Sequence, residues 1–519
     1  GIKDGKWFLA IVTIAMGLTL FNLAKANAAL LERDKLLPLD GTIDDRFGIS
    51  VSIDGDLAVV GMCYDDDNGY NSGSAYIFKF DGTSWVQQAK LLALDGAKED
   101  QFGVSVSIDG DWVIIGALGD DDNSGSAYIF RRSGVEWSQQ AKLVASDGAA
   151  GDWFGCSVSI SADFAIVGAY GNDDKGYNSG SAYIFRFDGT NWNQQQKLLA
   201  SDGTADDCFG ISVSISGDCA IVGAYGDDDA GNSCGSAYIF KWDGEKWNQQ
   251  VKLVATDGNA GDYFGCSVSL DANFAVVGAY GDDDNESDSG SAYIFKQDGE
   301  NWVQRQKLLA LDGVAGDSFG RAVSIDAGYI IIGAPYSDDN GSKSGSAYIF
   351  KWDGVNWNQQ TKLLASDGAA GDFFGYSVSI NDQLAIVGAW GDDDKGSESG
   401  SAYIFCLEPE MLTLLAPNGG EELVAGSTYN ISWETEGTIE NIFIEYSTNN
   451  GVDWMRIDTV ANTGSYSWVV PEINSNQCLV RISNADYPAM ADISDDVFRI
   501  YVCTLIYDCL LYTSPSPRD

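Results

Sequence analysis

Carboxylates are the groups in this chain most able to do chemistry. Aspartate runs recur at Asp65-Asp66-Asp67, Asp120-Asp121-Asp122, Asp173-Asp174, Asp227-Asp228-Asp229, Asp282-Asp283-Asp284, Asp338-Asp339 and Asp392-Asp393-Asp394. A second set pairs two aspartates five residues apart: Asp40 and Asp45, Asp95 and Asp100, Asp147 and Asp152, Asp202 and Asp207, Asp257 and Asp262, Asp312 and Asp317, Asp367 and Asp372. Like charges at this density repel unless water or a cation neutralises them. Calcium, a hard cation that takes oxygen ligands in flexible geometry, is the candidate cofactor. Its candidate ligands are Asp65, Asp67, Asp120, Asp122, Asp173, Asp227, Asp229, Asp282, Asp284, Asp338, Asp392 and Asp394. The competing role is turn capping, in which Asp accepts nearby backbone N–H bonds, and it suits the five-apart pairs best.

The chain contains no histidine. This excludes a Ser-His-acid triad, imidazole zinc ligation and the usual near-neutral acid–base group. Glycan cleavage by paired carboxylates stays open as an alternative. It needs one exceptional loop, whereas these loops are near copies, so no catalytic residue is assigned.

The elements that position the carboxylates repeat. Phe-Gly occurs at Phe47, Phe102, Phe154, Phe209, Phe264, Phe319 and Phe374, mostly 55 residues apart. A unit of that length cannot bury its own apolar face and must pack on its neighbours. Within residues 102–146 four short runs alternate or are apolar: 102–108, 112–117, 125–130 and 137–144. Turns such as Asp109-Gly110-Asp111 separate them. These are strands A to D of an antiparallel meander. The predicted fold class is therefore all-β: a seven-bladed β-propeller of four-stranded blades, plus a C-terminal β-sandwich. The seventh unit lacks strand D, and residues 31–38 are expected to supply it. Strand direction places the B–C loops and the D–A loops, which carry the two sets of aspartates, on one face. The position after Phe-Gly, which holds Cys156 and Cys266 among other types, reads as a buried or half-buried apolar site.

The segment FGISVSI…LAVVGMCYDDDNGYNSGSAYIF resembles an FG-GAP repeat, the unit of integrin-alpha-like seven-bladed propellers, and Gly333-Ala334-Pro335 matches the second half of that name. The resemblance covers 31–405 and implies an extracellular adhesion or ligand-binding role. Some members carry a calcium loop between the FG and GAP strands. Here that place holds only tight turns such as Asp54-Gly55-Asp56, so that site is not carried over.

Residues 1–28 read as a secretory signal: Lys3 and Lys6, an apolar stretch from Trp7 to Phe21, then Ala26-Asn27-Ala28. With 76 acidic against 30 basic residues, a net charge of -46 excludes nucleic acid as a partner. The ten cysteines show no CxxC pair, and Cys208, Cys219 and Cys234 could include one bridge. Residues 29–405 are assigned to the propeller, 406–416 to a linker and 417–501 to the sandwich. The motif PNGGEELVAGSTYNISW in 417–501 resembles the immunoglobulin-like module of Kre9/Knh1-related secreted proteins. Trp433, Trp454 and Trp468 read as core rather than as a sugar platform. Residues 502–519 break every pattern and read as a non-native tail. The functional expectation is a secreted or cell-surface, non-enzymatic binding or adhesion protein. Its partner is an extracellular protein or glycan, with no transmembrane span once the signal is removed and no oligomer implied. A structural envelope or matrix component is a further alternative.

Overall fold

The computed structural model describes residues 32–407, 411–436, 439–485 and 490–502. Residues 1–28, read above as a secretory signal, and residues 503–519 with Cys503 and Cys509 lie outside them. The chain divides after Leu407 into two compact units.

The first unit is seven four-stranded antiparallel sheets. Blade 1 shows the pattern: strands A (Phe47–Asp54), B (Leu57–Met62), C (Ser74–Phe80) and D (Trp85–Leu91), hydrogen-bonded in that order. Strand B is buried at every residue because neighbouring blades cover both faces of the sheet. In strand D only Trp85 and Leu91 are fully buried, as befits the rim. Six blades use consecutive strands. In the seventh, Glu32–Leu36 pairs antiparallel with Ser401–Cys406, so the N-terminal strand closes the ring as its sequence requires.

The core lies between blades. Ile184 and Leu198 of blade 3 pack on Phe209, Val222 and Tyr238 of blade 4. The same interface joins the last blade to the first, where Leu36, Ile386 and Ile404 meet Phe47, Val60 and Tyr76. Each such side chain contributes about 1.5–3 kcal/mol on burial. Two glycines permit this approach. A Cβ on Gly223 would lie 2.0 Å from the carbonyl oxygen of Gly265 in the next blade. Gly265 itself has φ +91°, and its Cβ would lie 2.2 Å from Ser236 O. A belt of inter-blade hydrogen bonds adds register. The Ile108 N–H donates to Ser52 Oγ at 3.2 Å, and the Ile53 N–H closes the belt on Ser379 Oγ at 3.3 Å.

The second unit is a two-sheet sandwich. One sheet holds Met411–Ala416, Thr428–Glu436 and Ser465–Val469. The other is built around Asn441–Ser447 and Ser475–Asn484. Trp433 and Trp468 fill the core between them, whereas Trp454 lies under the Arg481 guanidinium, so the three form no platform. The expected linker 406–416 is corrected at both ends. Cys406 ends a propeller strand, and Met411–Ala416 is a sandwich strand whose apolar run does not alternate. The bridge that Cys208, Cys219 and Cys234 could have included is not formed, and all three thiols are free.

Candidate functional site

Each blade closes its carboxylates around a lysine from strand D. In blade 4, Lys252 Nζ lies 2.9 Å from Asp202, 2.7 Å from Asp227 and 2.6 Å from Asp229. Asp227 is buried and also accepts the Tyr238 hydroxyl at 2.8 Å. Lys90 gathers Asp40, Asp65 and Asp67 in the same way, and Lys307 gathers Asp257, Asp282 and Asp284. In blade 7 the lysine is Lys35 of the N-terminal strand, which holds Asp367, Asp392 and Asp394 and so ties ring closure to the acidic face. The D–A and B–C loops thus meet on one face, as strand direction requires.

The remaining blades vary this plan. The B–C loop of blade 2 is shorter. Lys142 holds Asp95 and Asp120 closely and Asp121 at 3.6 Å, while Asp122 is exposed. In blades 3 and 6, Asn172 and Ser337 stand where the other blades have the buried Asp. Lys197 holds Asp147 and Asp174, and Lys362 holds Asp312 and Asp339. Asp173 and Asp338 sit one position off the lysine, where they cap their loops by accepting the N–H of Asn178 and Lys343, each at 2.8 Å. The five-apart pairs divide by role. The first Asp binds lysine, and the second is a buried cap, as where Asp207 Oδ2 accepts the Thr204 N–H at 2.6 Å.

The chain thus places one ammonium of its own among the carboxylates of each blade, a single positive charge facing two or three negative ones. A calcium ion among the same oxygens would have to displace a hydrogen-bonded ammonium and find the 6–8 oxygens it prefers. The lysines recur just before a leucine in every strand D, so repetition was the available signal. Their Asp partners are distant in the chain, 23 and 50 residues for Lys252 with Asp229 and Asp202 and 332 for Lys35 with Asp367, and no local spacing reveals the contact.

A second feature lies at the same end of the propeller. The residues just after each Phe-Gly and at the ends of strands B surround a central cavity of about 590 Å³. Its wall includes Tyr64, Tyr225, Tyr280 and Tyr376, and it contains Arg46 and Arg321 but no Asp or Glu. Nearby, rings of the D–A loops stack on rings just past the ends of strands B: Trp153 on Tyr170 and Tyr263 on Tyr280, each pair with centroids 4.9 Å apart, and Phe373 on Trp390 at 4.5 Å. The half-buried site expected after Phe-Gly is thus a cavity wall and not only apolar packing. Cys156 and Cys266 belong to it, their thiols pushed up by burial to about 11.

A sequence-family model described as FG-GAP repeat matches residues 31–78, 85–130, 137–185, 192–240, 247–295, 302–350 and 357–405. The chain belongs to the FG-GAP repeat family. No curated protein matches it. Among solved structures, Sidekick-1 immunoglobulin domains 1-5 align at 8% identity over 83% of this chain and 86% of that chain, with a TM-score of 0.13. A likeness that slight carries no argument about the fold.

The FG-GAP propeller's clusters set its response to pH. Burial opposes the lysine charge, but hydrogen bonds to aspartate outweigh it and raise Lys35, Lys90, Lys142, Lys197, Lys252, Lys307 and Lys362. Burial also raises their tyrosine neighbours, Tyr238 and Tyr403 among them. A lysine raised on folding gives stability that is complete below 10.5 and is lost as pH climbs through the folded value. The tyrosines act in the same direction, because the unfolded chain releases their protons first. On the acid side, lysine hydrogen bonds overcome burial and lower Asp40, Asp202 and Asp367, so their contribution disappears as pH falls below 3.8. The cap Asp372 opposes this. Burial pushes it to about 6, and its contribution is lost as pH rises from 3.8 toward that value. Thermal unfolding followed by circular dichroism should therefore show a stability plateau and then a steep decline above about pH 10. A flat profile to pH 12 would contradict the lysine clusters.

Proposed function

We propose that this chain is a secreted or cell-surface, non-enzymatic binding protein that presents the lysine-tied face of its propeller to an extracellular protein or glycan. The observation that carries this reading is the use already made of the carboxylates. They are closed on lysines and tyrosines or spent as loop caps, and the central cavity has no Asp or Glu to serve as acid, base or nucleophile. FG-GAP repeats are typical of extracellular proteins, which supports the compartment. No helix among the described residues is long and apolar enough to cross a membrane. The net charge of -46 opposes nucleic acid and anionic lipid. The C-terminal sandwich serves as a spacer. In this reading the loops are ordered by lysine, so recognition needs no divalent cation.

The test is an array of extracellular glycans and matrix proteins probed with the purified protein, with bound components then analysed for cleavage. Saturable retention without cleavage is expected. Fresh reducing ends on a retained glycan would overturn the non-enzymatic reading and restore carboxylate catalysis.

A further inference from the structure

Two guanidinium groups face the central cavity, and their situations differ. Arg46 is neutralised: its Nε and Nη2 donate to Glu398 Oε2 at 3.1 and 2.8 Å, and its guanidinium lies 4.7 Å from the Tyr64 ring and 4.6 Å from that of Trp390. Arg321 pairs with no carboxylate among the described residues. Its Nη2 donates to the Tyr376 hydroxyl at 3.2 Å, and its other neighbours are Tyr280, Tyr336 and Cys266. An arginine carries five N–H donors in a planar fork that matches a carboxylate. The donors of Arg321 are thus mostly uncommitted, in a protein whose acidic groups outnumber its basic ones by 76 to 30.

We propose that the cavity binds an acidic sugar, a single pyranose ring bearing one carboxylate, with that carboxylate on Arg321 and the ring against the tyrosine wall. The proposal rests on the reading of the propeller as a binding module and deepens it. Three observations select this class. The cavity, about 590 Å³, is within the range of small-ligand sites. The wall mixes aromatic rings with hydroxyls, which suits a molecule having both C–H faces and polar edges. Of the two arginines at the cavity only Arg321 lacks a carboxylate among the described residues, so one negative charge can be matched there, whereas a polyphosphate or sulfated chain would bring unmatched charges into a strongly negative surrounding.

The experiment titrates the purified full chain with glucuronate and follows intrinsic tryptophan fluorescence, to which Trp390 contributes from beside the cavity residues Arg46 and Tyr376. Glucose tests the ring without the charge, and acetate tests the charge without the ring. Saturable glucuronate binding is expected, with glucose and acetate each weaker by about ten-fold or more, the range of a charge-assisted hydrogen bond. Arg321→Gln should lose glucuronate binding by a similar factor with its melting temperature kept. If that variant does not fold, Arg321→Lys keeps the charge without the fork and should bind several-fold more weakly. No saturation at millimolar glucuronate, equal binding of glucose, or undiminished binding by a folded Arg321 variant would each overturn the proposal. Retention of a partner on the array without glucuronate binding would sink this inference and leave the binding function standing.

Discussion

Replacing Lys252 by Met should destabilise the propeller by about 3 kcal/mol, the scale for removing one partner of a buried ion pair. Lys252 is the shared cation of Asp202, Asp227 and Asp229. Asp202 and Asp229 reach solvent and can be hydrated, but Asp227 is buried with only the Tyr238 hydroxyl and a backbone N–H to stabilise its charge. The cost should therefore fall mainly on Asp227. A second substitution, Asp227→Asn, should restore most of the loss in the Lys252→Met background, because it removes the stranded charge. Chemical denaturation of the wild type, both single variants and the double variant measures the coupling. Additive effects would show that the cluster does not act as a unit.

Gly223→Ala should cost at least about 3 kcal/mol, the upper range for overpacking a core. The new methyl would lie 2.0 Å from a backbone carbonyl of the adjoining blade, so no side-chain rotation relieves it. Blades 4 and 5 would have to separate, and the closed ring cannot accommodate that at one interface alone. Gly148→Ala is the control. Its methyl meets nothing closer than 3.4 Å, and its stability should be unchanged or slightly raised. Melting temperatures of the two variants decide the matter. A Gly223→Ala protein as stable as Gly148→Ala would mean that the blades are not packed as closely as described.

Much of the fold is legible in the sequence, because each blade repeats the pattern that the others show. Residues 36–41 identify themselves as the end of a strand D followed by its loop, although they precede the first Phe-Gly. The site was harder to read. Counting aspartates selects Asp173 and Asp338, but position in the loop selects Asn172 and Ser337, whose polar side chains hide the equivalence. The lysines were visible but carried no message until strand D was laid against the two loops. The cavity wall is the least legible part. Its residues recur at fixed places but vary in type, as Ile49, Val104, Cys156, Ile211, Cys266, Arg321 and Tyr376, so only the structure shows that they face one space. In the sandwich, Met455–Ala461 is an edge strand with mostly exposed side chains, and its apolar alternation at Met455 and Ile457 breaks off at Thr459-Val460, too short to announce it.

Calcium titration of the purified protein, by calorimetry with melting temperature followed in parallel and magnesium as the control, tests the lysine-ordered face most directly. If the seven ammonium groups already occupy the centres of the carboxylate clusters, calcium should give no saturable heat at millimolar concentration and no rise in melting temperature beyond that of magnesium. Saturable, calcium-selective binding that raises the melting temperature would contradict the account and return the acidic loops to a metal-dependent role.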